Sequence, residues 1–289
     1  MNLTSKTKFG VVAILLIIIG GIVWFVNTRP EPIVVPEVVE EPTYSEQVIG
    51  TSVEGREIEA ISFGNGERKL LFVGGIHGGY EWNSVYLAYR AIDYLKENPM
   101  IVPADVQVTI IPNLNPDGLY IGIGAEGRFD PNTTPSIEET VSGRFNANDV
   151  DLNRNFDCKW QPSATWRSAT ISAGDAPFSE PEARILRDYI LETNPDLVTF
   201  WHSQGGAVYG AECEEEILPA TKQAVDLYAT ASGYSGHDVF DAYPVTGDAE
   251  AWLASIGIPA ITVELETHET IEWNQNLAGI KALLQYYGK

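Results

Sequence analysis

From residue 57 to the C-terminus, short apolar runs alternate with stretches of helical periodicity, and several runs end on histidine, asparagine or glutamate. Residues 57–63 alternate as a strand does, 69–73 form an apolar run before Gly74 and Gly75, and 105–111 form another. Between them, 81–97 carries Val85, Tyr86, Ala88, Tyr89, Ile92 and Leu95 at helical spacing. Ser179 and Glu182 have the spacing of a capping box, opening a helix that turns Ile185, Leu186, Tyr189 and Ile190 inward. Residues 197–201 read as a strand, and 249–255, 260–264 and 273–287 as helix, strand and helix. A chain that switches between the two periods in this way is expected to fold as an α/β three-layer sandwich. Its central sheet would be mixed and largely parallel, with helices on both faces.

Length and charge narrow the partners. The 289 residues fit one domain and a short appendage better than two full domains. Forty Asp and Glu against 18 Lys and Arg give a net charge of −22. Nucleic-acid binding needs clustered cations, so no nucleic-acid partner is expected.

The appendage is N-terminal. Segment 10–26 has no charged residue and is dense in Ile, Leu and Val. As a helix it would span about 25 Å, close to the hydrocarbon thickness of a bilayer. Lys6 and Lys8 precede it, which predicts that residues 1–9 are cytoplasmic and 10–26 a transmembrane signal-anchor. The alternatives are a cleaved signal peptide, for which the apolar stretch is long and no A-x-A site follows, and a core helix, which would show a polar face. Segment 27–43 interleaves Pro30, Pro32, Pro36 and Pro42 with glutamates and reads as a stiff, solvated linker. The domain 44–289 would then lie outside the cytoplasm, membrane-anchored, or secreted if the segment is cleaved.

Ligands of such sheets collect beyond the carboxyl ends of strands. His77 follows the run 69–73, Asn113 to Gly118 follow 105–111, His202 follows 197–201, and Glu264 ends 260–264. A single strand-end histidine is more often structural than a ligand. Here two of the chain's four histidines sit at equivalent ends. Glu81 is the first carboxylate after His77 and opens a helix. Two imidazoles and one carboxylate make the ligand set of an open zinc site, with a fourth position left for water.

Several motifs, in order over roughly residues 46–289, resemble those of the zinc carboxypeptidase (M14) family. They are Gly50-Thr51-Ser52-Val53-Glu54-Gly55-Arg56, then Gly74-Gly75-Ile76-His77 through Glu81, then Asn113-Leu114-Asn115-Pro116-Asp117-Gly118. Asp151-Leu152-Asn153-Arg154-Asn155-Phe156, Ser179-Glu180-Pro181-Glu182, Trp201-His202-Ser203-Gln204 and Thr262-Val263-Glu264-Leu265 follow. One departure stands out. The family spaces its first two ligands His-x-x-Glu, whereas His77 and Glu81 are spaced His-x-x-x-Glu. The Gly-Gly turn between them is the place to absorb the extra residue.

The resemblance implies one Zn²⁺ per chain on His77, Glu81 and His202, with Glu264 as general base. Glu266 is the competing carboxylate, the next residue that would point the same way along a strand. Asn153 and Arg154 match the pair that holds a substrate's terminal carboxylate. Arg144 matches the oxyanion-stabilising arginine, at a spacing closer to bacterial murein-peptide amidases; the plainer reading is a surface cation. Tyr243 resembles the tyrosine that closes over substrate, against a plain loop aromatic. Asp248 is the expected reader of a cationic side chain on the departing residue. Cys158 and Cys213 lie on loops of the same face and are read as a disulfide, against two free buried thiols. Such a bridge would contribute about 4 kcal/mol by constraining the unfolded chain.

Taken together, the expectation is a metallocarboxypeptidase acting on peptides with a free C-terminal carboxylate. A murein-peptide amidase acting on muropeptides beside a diamino acid is the alternative. A small-molecule deacylase is a weaker reading, because the Asn115-Pro116-Asp117-Gly118 loop and the Tyr243 loop argue for peptides. A non-catalytic binding module is weaker still, because no member of the expected catalytic set is missing.

Overall fold

The computed structural model describes residues 44–288. The expected anchor at 10–26 and linker at 27–43 lie outside the described residues. Among the described residues, no helix is long and apolar enough to cross a membrane.

The elements run β1 (Tyr44–Thr51), β2 (Glu57–Phe63), β3 (Arg68–Val73), α1 (Trp82–Glu97), β4 (Val106–Ile111), α2 (Pro116–Ile123), β5 (Ser163–Trp166) and β6 (Ala169–Ser172). They continue with α3 (Pro181–Thr193), β7 (Leu197–Ser203), β8 (Ala207–Gly210), α4 (Pro219–Ser232), β9 (Ser235–His237), α5 (Ala249–Ser255), β10 (Ala260–Leu265) and α6 (Trp273–Tyr287). Eight strands form one sheet in the order β1-β2-β4-β3-β7-β10-β8-β9, and β5 and β6 form a separate hairpin. The centre, β4-β3-β7-β10, is parallel; β1, β2 and β8 join antiparallel.

The two-residue period of each strand builds two cores. Leu70 and Phe72 of β3 pack with Trp201, Val263 and the inner sides of α1, α4 and α6. Leu71 and Val73 face the other way, onto Val198, Phe200 and the inner sides of α3 and α5. Helices therefore cover both faces, as the alternation of patterns predicts. At about 25 cal/mol per Å² these interlocked apolar layers are the main source of stability.

Two local expectations change. No capping box forms at Ser179: α3 begins at Pro181, and Glu180 stands at its N-cap without a side-chain cap bond. Glu182 is instead fully buried, accepting from Val53 N at 3.1 Å and from Asn146 Nδ2 at 3.1 Å. A cross-element network has displaced the local cap. Glu266 does not continue the inward row of β10: the strand ends at Leu265 and Glu266 is exposed.

Candidate metal centre and substrate cavity

The parallel centre of the sheet brings its carboxyl ends to one side, and the register does the rest. Glu264 on β10 pairs with His202 on β7, so two side chains distant in sequence emerge side by side. His77 lies just past β3, in the turn leading to α1. Between His77 and Glu81 the chain makes a short 3₁₀ turn, Gly78–Glu81. Gly78 has φ +43, and a Cβ there would lie 2.6 Å from the Gly143 carbonyl oxygen. Only glycine fits, and this turn takes up the extra residue of the His-x-x-x-Glu spacing.

His77, Glu81 and His202 are all buried, and each offers a ligand atom within 4.8 Å of the others'. Glu81 Oε2 accepts from Ser203 N at 3.1 Å and lies 3.1 Å from His202 Nδ1. Among the described residues, the buried side-chain polar atoms without a hydrogen-bond partner are His77 Nδ1, His202 Nε2, Glu264 Oε2 and Thr199 Oγ1. Orphaned buried atoms are costly, and three of these belong to this one cluster. Two imidazoles and a carboxylate gathered in this way fit a zinc ion, whose binding would release any proton held on either imidazole.

The two histidines differ in their surroundings. Burial, aided by Arg144, His202 and Arg154, pushes the His77 imidazole well below its ordinary value, so it is a neutral lone-pair donor. Burial also disfavours charge on His202, but the carboxylates of Glu81 and Glu250 outweigh it and push this imidazole well above its ordinary value.

Asp151 ties the cluster together. Its Oδ2 accepts from Arg144 Nε at 2.9 Å, while Oδ1 accepts from Asn153 N at 3.1 Å and stands 3.5 Å from His77 Nδ1. Arg144 is buried, with Nη1 3.6 Å from Glu81 Oε1 and its guanidinium 4.6 Å from the Trp166 ring centre. The surface-cation reading of Arg144 is therefore set aside. The Asn115-Pro116-Asp117-Gly118 motif supports this side from behind. Asn115 caps α2 through Gly118 N, and buried Asp117 accepts from Ser52 Oγ and Arg56 Nη1, both at 2.7 Å.

These residues line a cavity of about 720 Å³. Its wall includes His77, Glu81, Arg144, Asn153, Arg154, His202, Tyr243, Asp248 and Glu264. Every candidate residue thus meets at one place, while Glu266 is not in the wall. Glu264 is half-buried, and burial together with the charges of Glu81 and Glu250 raises its carboxyl to about 7 against the lowering effect of His202.

The far wall is built on loops. Arg154 is buried and donates from Nη1 to the Asn153 carbonyl oxygen at 2.6 Å. Asn153 Oδ1 accepts from Ala249 N, which leaves its amide hydrogens as donors. Gly247, at φ +70, packs against the Arg154 carbonyl, and no side chain would fit there. Asp248 caps α5 through Ala251 N at 3.0 Å. Desolvation, followed by the charge of Glu250, raises Asp248 to about 6. Tyr243 is 48% exposed and stacks edge-on against Phe240. Cys158 and Cys213 form a disulfide joining two loops of this face.

Glu250 and Asp151 are the residues the sequence reading left without roles. Glu250 is buried, accepts from Thr262 Oγ1 at 2.7 Å, and stands 3.5 Å from His202 Nε2 without the alignment of a hydrogen bond. Burial raises its pKa, but His202 and Thr262 more than offset this and hold it below its ordinary value. In the sequence it is only an acidic residue in the first turn of the short helix that Asp248 caps. Asp151 lay inside a quoted motif, but its bond to Arg144 depends on tertiary folding.

The chain is similar to known proteins. The γ-D-glutamyl-L-diamino acid endopeptidase 1 of Lysinibacillus sphaericus is 27% identical over 241 residues, 75% of this chain and 59% of its own length. The chain thus spans about three fifths of that relative. The murein-tripeptide amidase MpaA of Escherichia coli O157 superposes with a TM-score of 0.60 at 23% identity, covering 83% of this chain and 92% of its own. Bovine thrombin-activatable fibrinolysis inhibitor superposes with a TM-score of 0.65 at 17% identity, covering 85% and 88%. At these identities the superpositions speak for the fold. Residues 39–278 match the zinc carboxypeptidase family, Peptidase_M14, and the chain belongs to it.

Proposed function

We propose that the protein is a zinc metallocarboxypeptidase that hydrolyses the C-terminal peptide bond of peptides. The observation that carries this reading is Glu264 beside the His77–Glu81–His202 group, its Oε2 buried and without a partner in the same cavity wall. Zinc on those three residues would polarise the scissile carbonyl and acidify a bound water. Glu264 would accept that proton and hand it to the departing amine, the paired task of a general base and acid. Arg144, held by Asp151, supplies positive charge to the carbonyl oxygen as it becomes an oxyanion. Arg154 and the Asn153 amide bind the terminal carboxylate, and Tyr243 closes over the bound residue.

One observation favours a more specific substrate. Asp248 and Glu250 stand together beside Arg154, two acids where a departing side chain would lie. A cation there would pair with them, as would the free amine of a diamino acid. The second reading, a murein-peptide amidase cleaving next to a diamino acid, draws on this pair and on the likeness to the endopeptidase and amidase above. An anchored, extracytoplasmic placement is part of the proposal and is supported by the disulfide and by Lys6 and Lys8 before segment 10–26.

Incubation of the zinc-loaded protein with peptides ending in Lys, Arg, diaminopimelate, Phe and Leu, and with muropeptides, followed by mass analysis, tests the reading. Release of single C-terminal residues, basic or diamino ones fastest, is expected. Cleavage of muropeptides alone would move the assignment to the amidase, and no cleavage of any of them would overturn it.

A further inference from the structure

The cavity has a second cationic wall that the reaction above does not use. Strands β5 and β6 form a hairpin whose Trp166 pairs with Ala169, leaving a two-residue turn of Arg167 and Ser168. Both have positive φ, 46° and 64°, the geometry of a tight hairpin turn. Such a turn fixes where its side chains start. The Arg167 guanidinium lies 5.1 Å from the Trp166 ring centre and 5.3 Å from that of Tyr80. Tyr80 is held in turn against His268 at 4.6 Å. Aromatic faces support a guanidinium while leaving its N–H edge free to donate.

Two cations share Trp166, but only one is neutralised. Arg144 is paired with Asp151 and Glu81. Arg167 also lines the cavity, yet makes no ion pair among the described residues. In a chain of net charge −22, an unpaired arginine at a cavity wall is a poor accident.

Its position gives it a direction. The His202 ring has Glu81 3.1 Å from Nδ1 and Glu250 3.5 Å from Nε2, so those two carboxylates lie toward opposite edges of the ring. Glu250, toward Nε2, acts on Asp248 together with Arg154. Arg144 stands 3.6 Å from Glu81, which lies toward Nδ1, and shares the Trp166 and Tyr80 rings with Arg167. If the departing residue is held at Arg154, as in the function proposed above, on which this inference rests, the acyl half of the substrate runs toward Arg167.

The geometry points to Arg167 as an anion-binding residue that selects substrates bearing a carboxylate on the residue preceding the scissile bond. The guanidinium edge would take that carboxylate in a two-pronged hydrogen bond over the Trp166 and Tyr80 rings. The substrate class is then doubly polar: acidic before the cleaved bond, cationic after it, with a free carboxylate at the end. Lys159 is the alternative source of positive charge, since it also lines the cavity.

The test compares acetyl-Glu-Lys with acetyl-Gln-Lys, which differ only in that carboxylate. In the zinc-loaded protein kcat/KM should favour the Glu peptide about tenfold at low salt, the margin shrinking as salt screens an exposed arginine. Arg167→Gln should bring the ratio to about one, and Lys159→Gln should leave it in place. The same ratio in Kd should appear by calorimetry in Glu264→Gln and vanish in Glu264→Gln/Arg167→Gln. A ratio near one in the unmodified protein, or one that survives Arg167→Gln, overturns the inference while leaving the carboxypeptidase reading intact. If neither peptide is cleaved but the Kd ratio depends on Arg167, the inference stands and the reaction assigned above falls. Absence of both cleavage and differential binding sinks both.

Discussion

The two halves of the cavity hold their residues by different means. His77, His202 and Glu264 stand at or just past the carboxyl ends of sheet strands, where backbone pairing fixes each starting point. Arg154, Tyr243 and Asp248 stand on loop segments that meet through Gly247, the Asn153 amide and nearby backbone bonds. The strand half follows from sheet register, directly for His202 and Glu264 and through the turn after β3 for His77. The loop half depends on a few hydrogen bonds, one tight glycine and the Cys158–Cys213 bridge. Under the proposed function the proton acceptor and two of the three metal ligands belong to the strand half, and recognition of the departing residue belongs to the loop half, the division that lets one fold serve several substrates.

The largest expected effect is on the strand half. Glu264→Gln keeps shape and removes the proton acceptor, so kcat should fall by about 10³-fold or more with bound zinc unchanged. Glu266→Gln, exposed and outside the cavity wall, should stay within about twofold of the parent. A dead Glu266→Gln with an active Glu264→Gln would reverse the assignment.

Next is the carboxylate clamp. Arg154→Lys keeps the charge but loses the planar fork, and kcat/KM on free-carboxylate peptides should drop about 30- to 100-fold. Amidated peptides should be poor substrates of the parent and nearly unaffected by the change. Equal losses on both would mean that Arg154 supports the loop rather than the substrate.

A smaller change separates the two loop acids. Glu250→Gln should cut the Lys-over-Leu preference about tenfold, with zinc content intact. Asp248→Asn keeps an oxygen for the α5 cap and should cost less preference. If Asp248 carried the preference alone, that order would invert in the paired kcat/KM measurements.

The smallest effect on catalysis should come from the bridge. Cys158→Ala/Cys213→Ala should lose about 4 kcal/mol of stability by the chain-entropy estimate, read as a lower Tm. Zinc binding on the strand half should persist. Loss of zinc in the folded double variant would show that the two halves are not separable.

This division also explains what could be read in advance. The strands carrying His202 and Glu264 announce themselves by period, and α6 is found at residues 273–287 because its apolar stripe is long and regular. Asp248 was placed by its loop, whereas Glu250 looked like an ordinary first-turn acid of a helix. What distinguishes it, Thr262 on one side and His202 on the other, comes from β10 and β7 and has no local signature. The capping-box expectation at Ser179 failed for the same reason. Glu182 fits the local rule, but Asn146 and Val53, which take it up, are remote in sequence.

The central claim is that His77, Glu81 and His202 form one metal centre on which Glu264 acts without being a ligand. Elemental analysis of purified, dialysed protein tests it most directly, with the parent, His202→Ala and Glu264→Gln measured side by side. The account predicts about one zinc per chain in the parent and in Glu264→Gln, and most of it gone in His202→Ala. Full zinc retention in a folded His202→Ala variant, or its loss in Glu264→Gln, would contradict it.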